Sequence, residues 1–298
     1  MPLWLGLAIG AQFLSAVSVL IDKHIVARAQ FLGQPIVYAF YVSLLSGFVF
    51  VFLPFGVVEW PSLAVFSYSV AAAGTFIGAL FFLYSALKIA HASDVAPVVG
   101  AVSAMTTVLF ASILLDGDFT VALLTPIAFL VVGTALISHF HFSRTAVWYV
   151  ILGGIFFGVT ALIMKFIFLE TSFFNGFFWS RAMNVALALL LLLVPSVKAA
   201  IYHGGAKSSQ HAKLLVIGNK IIGGSASVLT AFAISLGSVS VVNSLAGLQF
   251  VFLFFLTYII AQVRHEKVER RFAGFGHTAI GVVCIVVGLA MLYILHSP

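Results

Sequence analysis

Ten long apolar stretches follow one another along this chain of 298 residues, with only short polar segments between them. A helix needs roughly 20 apolar residues to cross the ~30 Å hydrocarbon core of a bilayer, and each stretch is about that long. Backbone in lipid must satisfy its own hydrogen bonds, so such stretches form helices. The predicted spans are 3–21, 35–53, 64–87, 95–115, 121–138, 146–168, 173–197, 213–236, 240–261 and 273–295.

The composition excludes an ordinary soluble fold. Hydrophobic residues make up 63% of the chain and charged residues 7%, and the mean hydropathy is +1.22. The longest polar stretches, 198–213 and 262–272, are too short to form a soluble domain. We therefore predict an all-α integral membrane protein with ten transmembrane helices, whose partner is the lipid bilayer and not nucleic acid.

Lysine and arginine gather in alternate loops. Loops after even-numbered spans carry the acidic residues Glu59, Asp116, Asp118 and Glu170 but no lysine or arginine. Short loops rich in lysine and arginine stay cytoplasmic. This bias explains the net charge of +6 and predicts a multi-pass protein of the cytoplasmic membrane with both termini extracytoplasmic. The basic residues after odd-numbered spans are Lys23, Arg28, Lys88, Arg144, Lys198, Lys207, Lys213, Arg264, Lys267, Arg270 and Arg271.

The second half of the chain repeats the first. Residues 84–100 run parallel to residues 231–247, with alanine, serine and glycine at matching positions and one constant spacing. The predicted repeats are residues 1–144 and 145–298, each with five helices. Because five is odd, the two copies enter the membrane in opposite senses. Inverted repeats are the architecture of alternating-access transporters, with the solute site near the midplane.

With this repeat the chain resembles the EamA-type transporters of the drug/metabolite transporter superfamily. The resemblance covers essentially the whole chain and rests on the five-plus-five helices and three local motifs. Asp118 takes the acidic place where members usually end the fourth helix in Gly-Glu, and Gln249 matches the ninth-helix glutamine while Phe250 replaces a proline. Typical members place the N-terminus in the cytoplasm, and that insertion is the alternative here. The motifs are Tyr84–Leu87, Leu115–Asp118 and Leu248–Phe252.

The resemblance implies a secondary transporter that exports an amino-acid-like or other small metabolite. One alternative is an exporter of cationic drugs, which would need a carboxylate in its cavity. Another is a non-transport lipid scramblase or membrane enzyme. An enzyme would need a nucleophile or paired carboxylates at depth, and the spans contain none, so we expect no enzymatic activity.

Three basic residues lie inside predicted spans: Lys165, Arg181 and Lys220. Each charge at a helix centre costs about 2.5–3.5 kcal/mol on insertion scales, so retained charges are functional candidates. No acidic residue lies comparably deep, and the interior is therefore net positive. This predicts a cavity for an anionic or carboxylate-bearing solute. The alternative is that these long side chains extend to the lipid headgroups or brace neighbouring carbonyls.

Uncharged polar residues complete the predicted solute site. Gln12 lies where small multidrug exporters of the superfamily carry a proton-binding glutamate, but glutamine cannot titrate. The alternative for Gln12 is an interhelical hydrogen bond, worth roughly 0.6 kcal/mol in a membrane. The candidate substrate-binding residues are Lys220, Asn219, Arg181, Asn184, Gln249, Lys165, Tyr84, Trp179 and Gln12.

Other sequence features point to structural roles. Histidines are scattered near helix ends without the further ligands that a metal centre requires, so we predict neither a metal nor a cofactor. The Gly74-x-x-x-Gly78 and Gly154-x-x-x-Gly158 patterns fit close packing between helices of one chain. We accordingly expect a monomer or a weak dimer.

Overall fold

The computed structural model describes residues 2–28, 35–90, 92–115, 122, 124–137, 143–204, 210–263 and 275–296. These residues form helices and short turns, and no strand is present among them. A 3-10 helix, Ser46–Phe55, continues directly from the second α-helix. The α-helices are α1 Leu3–Arg28, α2 Pro35–Leu45, α3 Leu63–Ile89, α4 Ala92–Leu114, α5 Leu124–Ile137, α6 Arg144–Glu170, α7 Phe173–Leu191, α8 Pro195–Gly204, α9 Gln210–Leu236, α10 Val239–Ser244, α11 Ala246–Val263 and α12 Phe275–His296.

The fold is that of a multi-pass membrane protein. Within the described ranges, six helices are long and apolar enough to cross a bilayer, or seven if the bent pair α7–α8 forms one span. Large apolar side chains cover the outside: Trp60 is 91% exposed, Leu63 83% and Leu193 76%. Soluble monomers rarely expose apolar patches of this extent, whereas lipid-facing helices require them.

Two predicted spans are each divided into two α-helices in the structure. The predicted span 173–197 bends by 101° between α7 and α8. Leu192, Leu193 and Val194 donate to carbonyls three residues back, which tightens the end of α7, and Pro195 then begins α8. Proline disfavours helical backbone in the residue before it, which explains the position of the bend. The predicted span 240–261 is likewise divided at Leu245, between α10 and α11.

The helices pair closely through glycine. The most extensive packing joins α3 to α6, α1 to α9 and α5 to α12. A Cβ on Gly154 would lie 2.6 Å from Val102 Cβ, and one on Gly158 would lie 2.6 Å from the Ser103 carbonyl oxygen. A Cβ on Gly78 would lie 2.8 Å from Phe156. Gly78, Gly154 and Gly158 therefore make close contacts within the chain, whereas a Cβ on Gly74 would meet only Leu187, at 3.9 Å.

Candidate functional site

Arg181 occupies the contact between α7, α3 and α9. Its Nη2 donates to Ser227 Oγ on α9 at 3.3 Å. Its guanidinium carbon lies 5.4 Å from the ring centroid of Phe76 on α3 and 5.1 Å from that of Phe177. At 1.5 Å per residue Arg181 lies about 12 Å along α7 from its first residue. We call Arg181, Ser227, Phe76 and Phe177 the Arg181 site.

No carboxylate in the described part of the chain neutralises the charge of Arg181. Its Nε is buried and has no hydrogen-bond partner, and no described carboxylate forms an ion pair with the side chain. The two aromatic rings offset part of the desolvation cost through cation–π attraction. An uncompensated buried charge is nevertheless costly, and proteins keep one mainly where it has a function.

Two further buried polar atoms without partners lie on neighbouring helices. Asn184 follows Arg181 by one turn on the same face of α7, is 2% exposed, and leaves Oδ1 without a hydrogen bond. Ser43 on α2 is 0% exposed and leaves Oγ without one. Buried polar groups are normally satisfied, so the unsatisfied Arg181 Nε and Asn184 Oδ1, one turn apart on α7, mark a candidate ligand site.

Lys165 is bound elsewhere. Its Nζ donates to the Ile234 carbonyl at 3.2 Å and to the Gly237 carbonyl at 2.7 Å, at the C-terminal end of α9. A cation here satisfies helix-end carbonyls and the negative end of the helix dipole. The geometry gives Lys165 a structural role in joining α6 to α9.

We expect Lys165→Met to lower stability while the Arg181 site stays intact. Hydrogen bonds to charged groups contribute about 1.5–3 kcal/mol, and two carbonyls would lose their donor. The melting temperature of the purified protein in detergent measures the loss. The matched control is Lys198→Met, because Lys198 is exposed on α8. Equal melting temperatures for the two variants would contradict the structural role.

Trp179 closes one end of the α3–α7 contact. Its Nε1 donates to the Glu59 carbonyl at 2.9 Å, and its ring lies 6.1 Å from that of Trp60. The Glu59 amide in turn donates to Asn175 Oδ1 at 3.0 Å. These bonds fasten the segment before α3 onto the first turns of α7.

The other predicted residues lie on several helices. Lys220 is half-buried on α9, two turns or about 10 Å before Ser227 on a similar face, and its neighbour Asn219 is 1% exposed. Tyr84 is half-buried near the end of α3. Gln12 on α1 is 6% exposed and Gln249 on α11 is half-buried. These two helices pack together, with Phe13 and Phe252 in edge-to-face contact at 5.5 Å.

The structure therefore brings Arg181 and Asn184 together and adds residues that the sequence reasoning missed. The only sequence feature that could have indicated Ser227 is its spacing of seven residues from Lys220, which puts the two on one face of a helix. Phe76, Phe177 and Ser43 carried no signal, because apolar residues and single serines are common in every span. No group of three histidine, cysteine or acidic side chains suited to a metal ion is present in the described ranges.

A second missed feature is a polar contact beside the break at Leu245. Asn243 Nδ2 donates to Ser103 Oγ at 3.0 Å and to Thr107 Oγ1 at 2.5 Å. Thr107 Oγ1 donates to the carbonyls of Ser103 and Gly158. The network joins α10, α4 and α6, and the Asn243 amide and the Thr107 hydroxyl both donate within it.

Comparison with known proteins supports the fold only. No protein-family model matches the chain, and no curated protein matches it. Among solved structures, 27 chains match. One of them, described only as the crystal structure of a protein, is 18% identical with a TM-score of 0.69, and the match covers 98% of this chain and 96% of that chain. The whole chain thus has a fold that also occurs in a solved structure.

Proposed function

We propose that this protein is a secondary transporter of a small anionic or amino-acid-like metabolite, with the Arg181 site at its centre. The observation that carries the proposal is a buried guanidinium that no described carboxylate neutralises. A carboxylate or other anion of the solute would supply the missing charge. An exporter of cationic drugs would need the opposite charge at this position.

Helix packing supports two inverted five-helix repeats, residues 1–144 and 145–298. The first repeat would contain α1 to α5, and the second would contain α6, α7–α8, α9, α10–α11 and α12. If each helix is replaced by its counterpart in the other repeat, the α3–α6 contact becomes the α9–α1 contact, and the α4–α6 contact becomes the α11–α1 contact; all four are observed. The α5–α12 and α2–α7 contacts each join a helix to its own counterpart, as a two-fold relation between the repeats requires. This pattern fits ten transmembrane helices and an EamA-type member of the drug/metabolite transporter superfamily.

Some contacts depart from that symmetry, and one of these departures fits alternating access. Helix α3 packs extensively on α7, but its counterpart, α9 on α2, has no comparable contact among the described residues. Transporters with inverted repeats expose their site to one side by giving the two repeats different conformations. The closed end contains Trp179 and Glu59, on the side whose loops have no lysine or arginine. We therefore propose that the open side faces the cytoplasm.

Counterflow tests the function. Purified protein would be reconstituted into vesicles loaded with an unlabelled candidate solute, and uptake of the labelled solute from outside would be followed. A carrier produces transient accumulation that saturates with concentration, and we expect it for anionic or zwitterionic metabolites but not for cations. Lipid scrambling without saturable solute uptake would favour a scramblase and contradict the proposal.

A further inference from the structure

We infer that Arg181, Asn184 and Ser43 bind the head of a monocarboxylate that carries an N–H or O–H group on the carbon next to the carboxylate. This inference rests on the proposed function and narrows its solute. It depends on three buried polar atoms without partners, which lie on two helices that pack together.

The guanidinium of Arg181 has the geometry for a flat carboxylate. Phe76 and Phe177 lie 5.4 and 5.1 Å from its central carbon, and Nη2 is bonded to Ser227. Nε is the donor left without an acceptor. Arginine binds carboxylates with two parallel N–H donors, and Nε together with a terminal nitrogen forms such a fork.

The charge balance favours a single negative charge. One guanidinium neutralises one carboxylate, whereas a phosphate dianion would retain an uncompensated charge inside the membrane. The cost of burying an unpaired charge is large. Lys165 is held by the carbonyls of Ile234 and Gly237, and Lys220 lies about 10 Å farther along α9. The site therefore selects monocarboxylates over phosphates.

Asn184 selects solutes that carry a hydrogen-bond donor on the carbon next to the carboxylate. Residues three apart on a helix are neighbours, about 5–6 Å between Cβ atoms, so Asn184 Oδ1 lies beside the carboxylate position on Arg181. Oδ1 can only accept a hydrogen bond, and it has no donor among the residues that the structure describes. A hydroxyl on the adjacent carbon of the solute would satisfy it without adding a charge, whereas an ammonium would satisfy it and leave one positive charge uncompensated.

Ser43 lies across the α2–α7 contact from the residues that follow Asn184. Phe40, one turn before it, packs with Ala188, and a Cβ on Gly47, one turn after it, would lie 3.5 Å from Val185. Ser43 is therefore opposite residues 185–188, which directly follow Asn184 on α7, and its unsatisfied Oγ is available as a second polar partner. Since both atoms are enclosed, solute entry requires α2 to separate from α7.

Three probes with one carbon skeleton test the inference: 4-methylpentanoate, its 2-hydroxy derivative and its 2-amino derivative, leucine. The dissociation constant of each is obtained from the rise in melting temperature of the full-length protein in detergent, with inorganic phosphate as the dianion probe. We expect at least one substituted acid to bind about 10-fold more tightly than 4-methylpentanoate, because the latter leaves Asn184 unsatisfied. The preferred derivative distinguishes a hydroxy acid from an amino acid.

The Asn184→Ala variant provides the matched test. In this variant the dissociation constants of the three acids should lie within about two-fold of one another, because the Asn184 Oδ1 acceptor that favours the substituted acids is removed. The control is Ser180→Ala, at a buried position on α7 whose hydroxyl donates to the Phe177 carbonyl of the same helix. This variant should prefer the substituted acids to 4-methylpentanoate by the same factor as the unchanged protein.

Two results would overturn the inference. One is equal binding of all three acids by the unchanged protein, and the other is binding of phosphate but of no monocarboxylate. In either case counterflow of another anion would leave the proposed transport function standing. A protein that binds none of the probes and carries no anion would contradict both.

Discussion

Arg181→Gln should abolish transport of an anionic solute without unfolding the protein. The solute would lose its only charged partner in the site, and removing a buried hydrogen-bonded charge partner costs about 2–5 kcal/mol. Each 1.36 kcal/mol is ten-fold in rate, so uptake should fall by about 30-fold or more. Arg181→Lys keeps the positive charge but loses the two parallel N–H donors of the guanidinium, so we expect an uptake rate between those of the unchanged protein and Arg181→Gln.

Stability separates this functional role from a structural one. Replacing a buried charge that lacks an ionic partner is often neutral or stabilising, so Arg181→Gln should melt at the same temperature as the unchanged protein or higher. Initial uptake rates in vesicles and melting temperatures in detergent measure the two effects. The control is Arg144→Gln at the exposed start of α6, which should leave both unchanged. If Arg181→Gln melted at a lower temperature but retained uptake, Arg181 would have a structural role and no role in transport.

Gly158→Leu should give the largest loss of stability. The added Cβ alone would lie 2.6 Å from the Ser103 carbonyl oxygen and 2.7 Å from Thr106 Cβ, so α4 and α6 would have to separate. Overpacking a core costs about 1–3 kcal/mol for small additions, and leucine adds three more carbons. The same separation would disturb the bond from Thr107 to the Gly158 carbonyl.

Gly10→Leu is the control for that substitution. Gly10 lies within an α-helix like Gly158, but a Cβ built on it meets nothing within 4 Å. We expect this variant to be recovered as folded protein from detergent, while Gly158→Leu is lost to aggregation or melts well below it. Equal recovery and equal melting temperatures would mean that the α4–α6 contact is less close than the structure describes.

The helices were predictable because their signal is local. Apolar runs of about 20 residues predict where helices lie, and the α6, α9 and α12 boundaries fall within a few residues of the predicted spans. The bend before Pro195 had a local signal in the proline itself. The break at Leu245 had no proline to signal it, and the partners of Asn243 beside it, Ser103 and Thr107, are distant in the sequence.

The site was predictable only in part, for the same physical reason. A charge is rare inside a membrane, so Arg181 and Lys165 could both be selected from the sequence. Their different surroundings could not, because Ser227 beside Arg181 and Ile234 beside Lys165 lie on another helix. Partners distant in the chain are set by how helices pack. Single serine and phenylalanine residues give no indication of that packing.

Sided labelling of a cysteine placed at Ser227 tests alternating access around Arg181 most directly. The background is Cys284→Ser, which removes the cysteine of the natural chain. A membrane-impermeant maleimide is applied to one face or the other of oriented vesicles, with and without a transported anion. The account predicts that the cysteine reacts from both faces and that the anion changes the ratio of the two rates. Reaction from one face only, at a rate the anion does not alter, would contradict it.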